Sequence, residues 1–184
     1  MRPLPPTWQR SGRTCVRPLL QAGRDPEEIT LVAATKVQTS QTIRNAIQAG
    51  ITVCGENRVQ ELVAHLEDDA YAGARVHFIG HLQTNKVKFV VGKVDMIESI
   101  DSQRLMDAVE KQAAKVGVVQ DILLEVNIGQ EESKGGAKRE EILTLARHAA
   151  QCPHLRLRGL MCIPRHRHRG RKSGVFPRNL SAFC

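Results

Sequence analysis

The chain has 184 residues and a net charge of +8, and its 41% apolar and 3% aromatic residues are enough for one domain with an aliphatic core. No apolar stretch is long enough to cross a bilayer, and the amino terminus lacks the apolar run of a secretory signal. Five scattered cysteines without a C-x-x-C pair argue against a disulfide framework or a zinc site, so we expect a cytoplasmic protein without a metal.

The positive charge lies at the two ends of the chain. Residues 1–24 and 165–184 carry 11 of the 27 basic residues and no acid, which leaves 16 basic against 19 acidic residues between them. A slightly acidic body argues against specific nucleic-acid binding. The terminal "RHRHRGRK" could contact phosphates non-specifically, but we favour an unstructured basic tail, because base-stacking aromatics and a binding fold are missing.

Strand-like and helix-like segments alternate between residues 29 and 163. Apolar, β-branched runs predict six strands, at 29–35, 51–55, 76–80, 94–100, 120–128 and 155–163. The amphipathic stretches between them predict helices, with Ser40 capping the first, and with Asn57 capping the second in a capping box with Gln60. Such alternation predicts parallel strands joined by right-handed crossovers.

A doubly wound sheet and a (β/α)8 barrel both fit this series of elements. We expect an α/β fold with a parallel, TIM-barrel-like sheet that is incomplete, with about six of the eight β/α units. In either architecture the functional groups lie at the carboxyl ends of the strands.

Polar side chains long enough to contact a ligand follow the predicted strands. They should gather at one end of the sheet: Lys36, Asn57, His81, Gln83 and Asn127. Each also has a simpler structural explanation. Lys36 is typical of a solvated loop start, Asn57 of a helix cap and His81 of a surface histidine. Met161, at the end of the sixth strand, is typical of a core residue.

These strand ends resemble one family. "AGRDPEEITLVAATK", "GENRVQE", "HFIGHLQTNKVK", "ESIDS", "LLEVNIGQEESKGG" and "LRGLMCIP" occur in the order and spacing of the pyridoxal-phosphate homeostasis proteins, single-domain relatives of the alanine racemase barrel domain. The resemblance implies an atypical segment at 1–21, a barrel-like domain that binds pyridoxal 5′-phosphate (PLP) at 22–164, and a basic tail outside the family at 165–184, which we expect to be disordered.

The resemblance also implies the site. Lys36 matches the lysine that holds PLP as a Schiff base, Asn57 and His81 match residues near the cofactor, and Met161 matches a position beside it. A Schiff base needs a neutral amine, and burial at a strand mouth would disfavour the charged form. No catalytic residues are implied, so we expect a non-catalytic PLP-binding protein of vitamin B6 homeostasis. The alternative is a PLP-dependent enzyme similar to an amino-acid racemase.

The sequence departs from the family after Pro164. The family continues with two β/α units, whose glycine-rich loop and "RIG"-like motif hold the cofactor phosphate, whereas "RHRHRGRKSGVFPRNLSAFC" contains no acid and no helical period. Residues 1–21 also differ from the expected first helix, because four prolines would break it. We therefore expect a truncated or frame-shifted relative that binds PLP weakly, and we leave the oligomeric state open.

Overall fold

The computed structural model describes residues 28–128 and 135–163, together with Gly23, Asp25 and Ser181–Ala182. The predictions for residues 1–21, for the loop at 129–134 and for the rest of the tail lie outside this part. The strands are β1 (Ala33–Ala34), β2 (Val53–Glu56), β3 (Arg75–Phe78), β4 (Met96–Ile100), β5 (Gln120–Glu125), β6 (Leu155–Cys162) and β7 (Ser181–Ala182). The helices are α1 (Ser40–Gln48), α2 (Val59–Glu67), α3 (Gln103–Val116) and α4 (Ile142–Ala149), with 3-10 turns at Thr84–Phe89 and Arg139–Glu141.

The seven strands form one parallel sheet, and each pairs only with strands that neighbour it in the chain, in the order β1 to β7. A doubly wound sheet would reverse its direction at a switch point, whereas a continuous order is that of a (β/α)8 barrel. Of the two architectures that fit the sequence, the structure therefore has the barrel-like one. The predicted α/β, incomplete TIM-barrel-like fold is confirmed.

An aliphatic core joins the helices to one face of the sheet. On α3 the buried residues recur at helical spacing, and the helix ends at Gly117, whose φ of 72° is the left-handed conformation that glycine adopts without strain. The sheet contributes side chains with no exposed surface. The residues that meet in this core include Phe78, Ile97, Ile122 and Leu124 of the sheet and Leu62, Met106, Val109 and Ala113 of the helices.

Two predicted helix caps are wrong. α1 is capped by Thr39, whose hydroxyl accepts a hydrogen bond from the backbone N–H of Thr42 at 3.2 Å, while Ser40 is already the first helical residue. α2 begins one residue later than predicted, with Arg58 at the cap position and no capping side chain, so Asn57 does not cap it. In both cases a neighbouring residue takes the extended backbone conformation that a cap requires.

The first strand is shorter and more exposed than predicted. Only Ala33–Ala34 form ladder pairs, although 29–35 was expected to be a buried strand, and the side chains of Ile29 and Leu31 are 39% and 46% exposed. Among the described strands, β1 lies at the edge of the sheet and pairs with β2 alone. Because β1 pairs on one side only in this part of the chain, its apolar composition was not sufficient to form a long, buried strand.

The seventh strand was not predicted. Ser181–Ala182 lie in the segment expected to be a disordered tail, and they pair in parallel with Met161 and Cys162 of β6. A two-residue pairing of this kind depends on backbone groups at a sheet edge, which leave no period in the sequence. Within the described residues, no helix is long and apolar enough to cross a membrane.

Candidate functional site

Lys36 lies in a tight turn directly after β1. The backbone N–H of Gln38 donates to the carbonyl of Thr35 at 3.0 Å, so Lys36 and Val37 are the two central residues of a β-turn. The Lys36 side chain is exposed, so the burial expected for this lysine is not observed. Its amine is instead accessible at the carboxyl end of the strand.

Asn57 follows β2 and lies against Gly80, the second residue after β3. A Cβ built on Gly80 would come within 2.1 Å of the Asn57 carbonyl oxygen, so only glycine fits at this crossing of the two chain segments. The side-chain oxygen Oδ1 of Asn57 is buried and has no hydrogen-bond partner among the described residues. An unpaired buried acceptor is costly, and a bound group with an N–H or O–H would satisfy it.

The ends of β3, β4 and β5 bring together an imidazole and two carboxyl groups. The Nδ1 atom of His81 lies 3.8 Å from Oδ2 of Asp101. Burial of Glu125, assisted by the negative charge of Asp101 and opposed by His81, raises the pKa of the Glu125 carboxyl above its usual 4.5. This end of the sheet therefore holds a carboxyl group that keeps its proton to a higher pH than an ordinary glutamate.

Met161 is buried at the same end of the sheet, near the end of β6. It is the register partner of Glu125, and its carbonyl accepts a hydrogen bond from the N–H of Val126 at 2.8 Å. The structure thus brings His81 and Met161 to the surroundings of one residue, Glu125, which the sequence analysis did not select.

The other predicted residues follow the same strand ends. The Thr35 hydroxyl donates a hydrogen bond to the Glu56 side chain. Lys36 follows Thr35 and Asn57 follows Glu56, so Lys36 and Asn57 are adjacent at the ends of β1 and β2. Gln83 is exposed before the 3-10 turn, and the N–H of Asn127 donates to the Ala137 carbonyl. Contacts of Lys36, Asn57, His81 and Met161 with a cofactor stay a prediction.

A buried polar network lies between β2 and α2, and sequence reasoning missed it. Glu56 is fully buried, and its Oε1 atom lies 3.2 Å from Nδ1 of His65 and accepts from the Thr35 hydroxyl. The Tyr71 hydroxyl lies 3.1 Å from the same His65 nitrogen. Burial, together with the Glu56 charge, raises the pKa of Tyr71 far above its usual 10, so its hydroxyl stays protonated. The available signal was a histidine on the apolar face of a helix, three residues after Leu62.

Known proteins resemble the chain over nearly its whole described length. The family model of the alanine racemase N-terminal domain matches residues 29–183. A "Pyridoxal phosphate homeostasis protein" of Aquifex aeolicus is 41% identical over 156 residues, which cover 85% of this chain and 67% of the relative. The chain belongs to the alanine racemase N-terminal domain family and, within it, to the pyridoxal phosphate homeostasis proteins.

Solved structures agree with this family membership. A protein of Bifidobacterium adolescentis described as unknown superposes with a TM-score of 0.81 at 36% identity, covering 87% of this chain and 69% of that one. PipY of Synechococcus elongatus PCC7942, solved with PLP bound, superposes with a TM-score of 0.69 at 29% identity, covering 80% of this chain and 69% of PipY. The chain spans 62% to 67% of the length of the curated relatives that match it first.

Proposed function

We propose that this chain binds PLP covalently through Lys36 and takes part in intracellular PLP homeostasis. The observation that carries the proposal is an accessible lysine in a defined turn at the carboxyl end of β1, in a chain 41% identical to a pyridoxal phosphate homeostasis protein. The three described cysteines, Cys54, Cys152 and Cys162, are free thiols, which suits the reducing cytoplasm that forms part of the same proposal.

The residues present fit the chemistry of PLP. Bound PLP would supply an aldehyde, which can condense with a primary amine and release one molecule of water. Lys36 offers that amine on an exposed side chain. The buried Oδ1 of Asn57, which has no partner among the residues that the structure describes, offers an acceptor for a hydroxyl or a protonated ring nitrogen of the bound molecule.

The neighbouring strand ends complete the proposed site. His81 is mostly exposed, and its contact with Asp101 leaves its ring at the rim, where it can reach a ligand. Met161 offers an apolar wall, and a thioether tolerates varied shapes. Glu125 beside it carries a raised pKa, so its carboxyl can donate a hydrogen bond at a pH where an ordinary glutamate only accepts.

We propose a binding role rather than an enzymatic one. The curated relatives that match first are named for homeostasis and not for a reaction. The alternative, a racemase-like enzyme, predicts interconversion of D- and L-alanine by the PLP-loaded chain, abolished by Lys36→Ala. Absence of turnover above that of the Lys36→Ala chain supports the binding role, whereas Lys36-dependent turnover overturns it.

The covalent assignment is tested by trapping. The purified chain is incubated with PLP, reduced with borohydride and digested, and the modified peptide is identified by mass spectrometry. We expect the label on Lys36 and its loss in Lys36→Ala, while the matched variant Lys93→Ala, at another exposed lysine, is labelled like the wild type. A label on a different lysine, or an undiminished label in Lys36→Ala, contradicts the assignment.

A further inference from the structure

The turn that carries Lys36 contains a strained residue. Val37 has φ of 60°, a left-handed conformation that is a genuine outlier for a β-branched side chain. A positive φ at the third position of a β-turn is normally supplied by glycine or asparagine. The Val37 side chain is 83% exposed, so its own packing does not compensate for the strain. Contacts from elsewhere must hold the turn.

Those contacts come from β2 and α2 and reach three of the four turn residues. The Thr35 hydroxyl bonds to Glu56, the Val37 N–H donates to Oε2 of Glu61 at 3.1 Å, and Nε2 of His65 lies 3.2 Å from the Gln38 carbonyl oxygen. Lys36 lies in the chain between Thr35 and Val37. The set of Glu56, Glu61 and His65 is called the turn clamp below.

The His65 contact persists in both protonation states of the ring. A carbonyl oxygen only accepts hydrogen bonds, so Nε2 of His65 carries a hydrogen that it donates to Gln38. The other nitrogen, Nδ1, accepts from the Tyr71 hydroxyl when it is unprotonated and donates to Glu56 when it is protonated. Either arrangement leaves the donation to Gln38 unchanged.

Burying the polar groups of the turn clamp costs free energy, and core packing alone does not account for that cost. Glu56 has no exposed surface, and its second oxygen, Oε2, has no hydrogen-bond partner among the described residues. Replacing a buried polar pair as a whole by apolar residues of similar volume is often neutral or stabilising, so core packing alone does not require the pair of Glu56 and His65. What Glu56 does contribute is a fixed acceptor for the Thr35 hydroxyl and, when Nδ1 of His65 carries a hydrogen, for the ring that donates to Gln38.

We propose that Glu56, Glu61 and His65 are positioning residues that hold the strained turn Thr35–Gln38 and so direct the Lys36 amine into the PLP site. This inference rests on the function proposed above. Without the clamp, Val37 relaxes out of the left-handed region and the Lys36 backbone changes direction. Misplacement of a reacting group by about 1 Å can cost up to about a hundredfold in rate, so losing one contact should slow reaction at Lys36 by about tenfold.

The experiment measures how fast PLP labels Lys36, by borohydride quenching at timed intervals and mass spectrometry of the Lys36 peptide. His65→Phe keeps an aromatic ring at the edge-to-face contact with Tyr71 but cannot donate to Gln38, so labelling should slow about tenfold. His65→Gln places an amide nitrogen where Nε2 was and should label close to the wild-type rate. Wild-type labelling of a folded His65→Phe chain would overturn the proposal.

A second substitution separates positioning from general damage to the core. Glycine adopts φ of 60° without strain, so Val37→Gly should restore most of the labelling rate in the His65→Phe chain. A loss of rate caused by disrupted packing would not be repaired by a change at an exposed valine. Failure of Val37→Gly to restore the rate therefore overturns the assignment of His65 to the turn.

Glu61 provides a route that leaves the core intact, should His65→Phe not fold. Glu61→Ala removes the acceptor of the Val37 N–H from a largely shielded position on α2 and should also slow labelling. Arg58→Ala is the matched control, because it breaks the exposed ion pair of Arg58 with Glu61 at 3.3 Å but leaves the turn contact in place. Equal effects of the two substitutions contradict the clamp.

Hydrogen exchange of the Val37 and Gln38 amides tests the clamp without PLP. The Val37 N–H donates to Glu61 and the Gln38 N–H donates to Thr35, so both should be protected in the wild type, exchange faster in His65→Phe and regain protection with Val37→Gly. If PLP never labels Lys36 in the wild-type chain, the proposed function fails, while these amides still decide whether the clamp exists. Unchanged exchange in His65→Phe would refute it.

Discussion

The backbone carbonyl of Asn57 approaches Gly80 so closely that a methyl group on Gly80 would lie 2.1 Å from its oxygen. Gly80→Ala must therefore move one of the two strand ends. We expect the free energy of unfolding to fall by about 3 kcal/mol, which is at the upper end of the range that is typical for overpacked sites. Urea denaturation measures it, with Gly135→Ala as control, because a methyl group there makes only ordinary contacts, the nearest with Glu125 at 3.6 Å. Equal stability of Gly80→Ala and wild type would contradict this contact.

The strand and helix series could be predicted from the sequence because each element carries its own period. Apolar runs located β2 to β6, and the stripe on α3 located its buried face. The boundaries were less secure, since Thr39 and Ser40 are both good caps and the backbone alone selects between them. The length of β1 depended on its having a single neighbour among the strands that the structure describes, and a local sequence pattern does not show how many neighbours a strand has.

The site could be predicted only as a set of strand ends. The resemblance selected Lys36, Asn57, His81 and Met161, whereas the groups that hold or neighbour them were missed. The predicted second strand stopped at residue 55, before Glu56, because a carboxylate is atypical of a buried strand. Its partner His65 lies on a helix nine residues later, so the pairing that makes the burial possible is tertiary and leaves no local signal.

Glu110 should stabilise the fold more than Asp107, although both lie on α3 and each pairs with a histidine. Glu110 accepts from Nδ1 of His154 at 2.8 Å and from its backbone N–H at 3.1 Å. Asp107 is half exposed, and within the described part of the chain it bonds to Nε2 of His148 alone, at 2.6 Å. We expect losses of about 2 kcal/mol for Glu110→Ala and below about 1 kcal/mol for Asp107→Ala, from urea denaturation. A larger loss for Asp107→Ala would reverse this ranking.

Cys54 should be unreactive in the native chain. It is 1% exposed on β2, and burial, with a smaller contribution from Glu56, raises the pKa of its thiol to about 11. Because the thiolate is the nucleophile, iodoacetamide at pH 8 should modify Cys54 only after unfolding in urea. Peptide mapping of native and unfolded samples measures the difference, and native labelling of Cys54 at the unfolded rate would show that the site is open.

Glu125 should make stability depend on pH in the direction opposite to that of an ion-paired carboxylate. Burial, and then the charge of Asp101, raise its pKa above 4.5 in the folded state, so the folded chain holds this proton more tightly than the unfolded chain. Between 4.5 and the raised value the folded state binds more protons, and the free energy of unfolding must fall as pH increases. The contribution is complete below about pH 4.5 and is lost as pH rises through the folded pKa.

Glu125→Gln removes this dependence, because glutamine keeps the shape of the protonated acid but does not titrate. Relative to wild type, the variant should therefore gain stability as pH rises from 4 towards 8, in urea denaturation at constant ionic strength.

The cause can be checked directly by NMR titration of the Glu125 carboxyl carbon. In Asp101→Asn the pKa of Glu125 should fall towards 4.5, because the neighbouring negative charge is gone, whereas in His81→Gln it should rise. Burial remains in both variants, so neither should return the pKa fully to 4.5. Parallel stability curves for wild type and Glu125→Gln, or a Glu125 titration indifferent to Asp101, would mean that these strand ends do not form the cluster described.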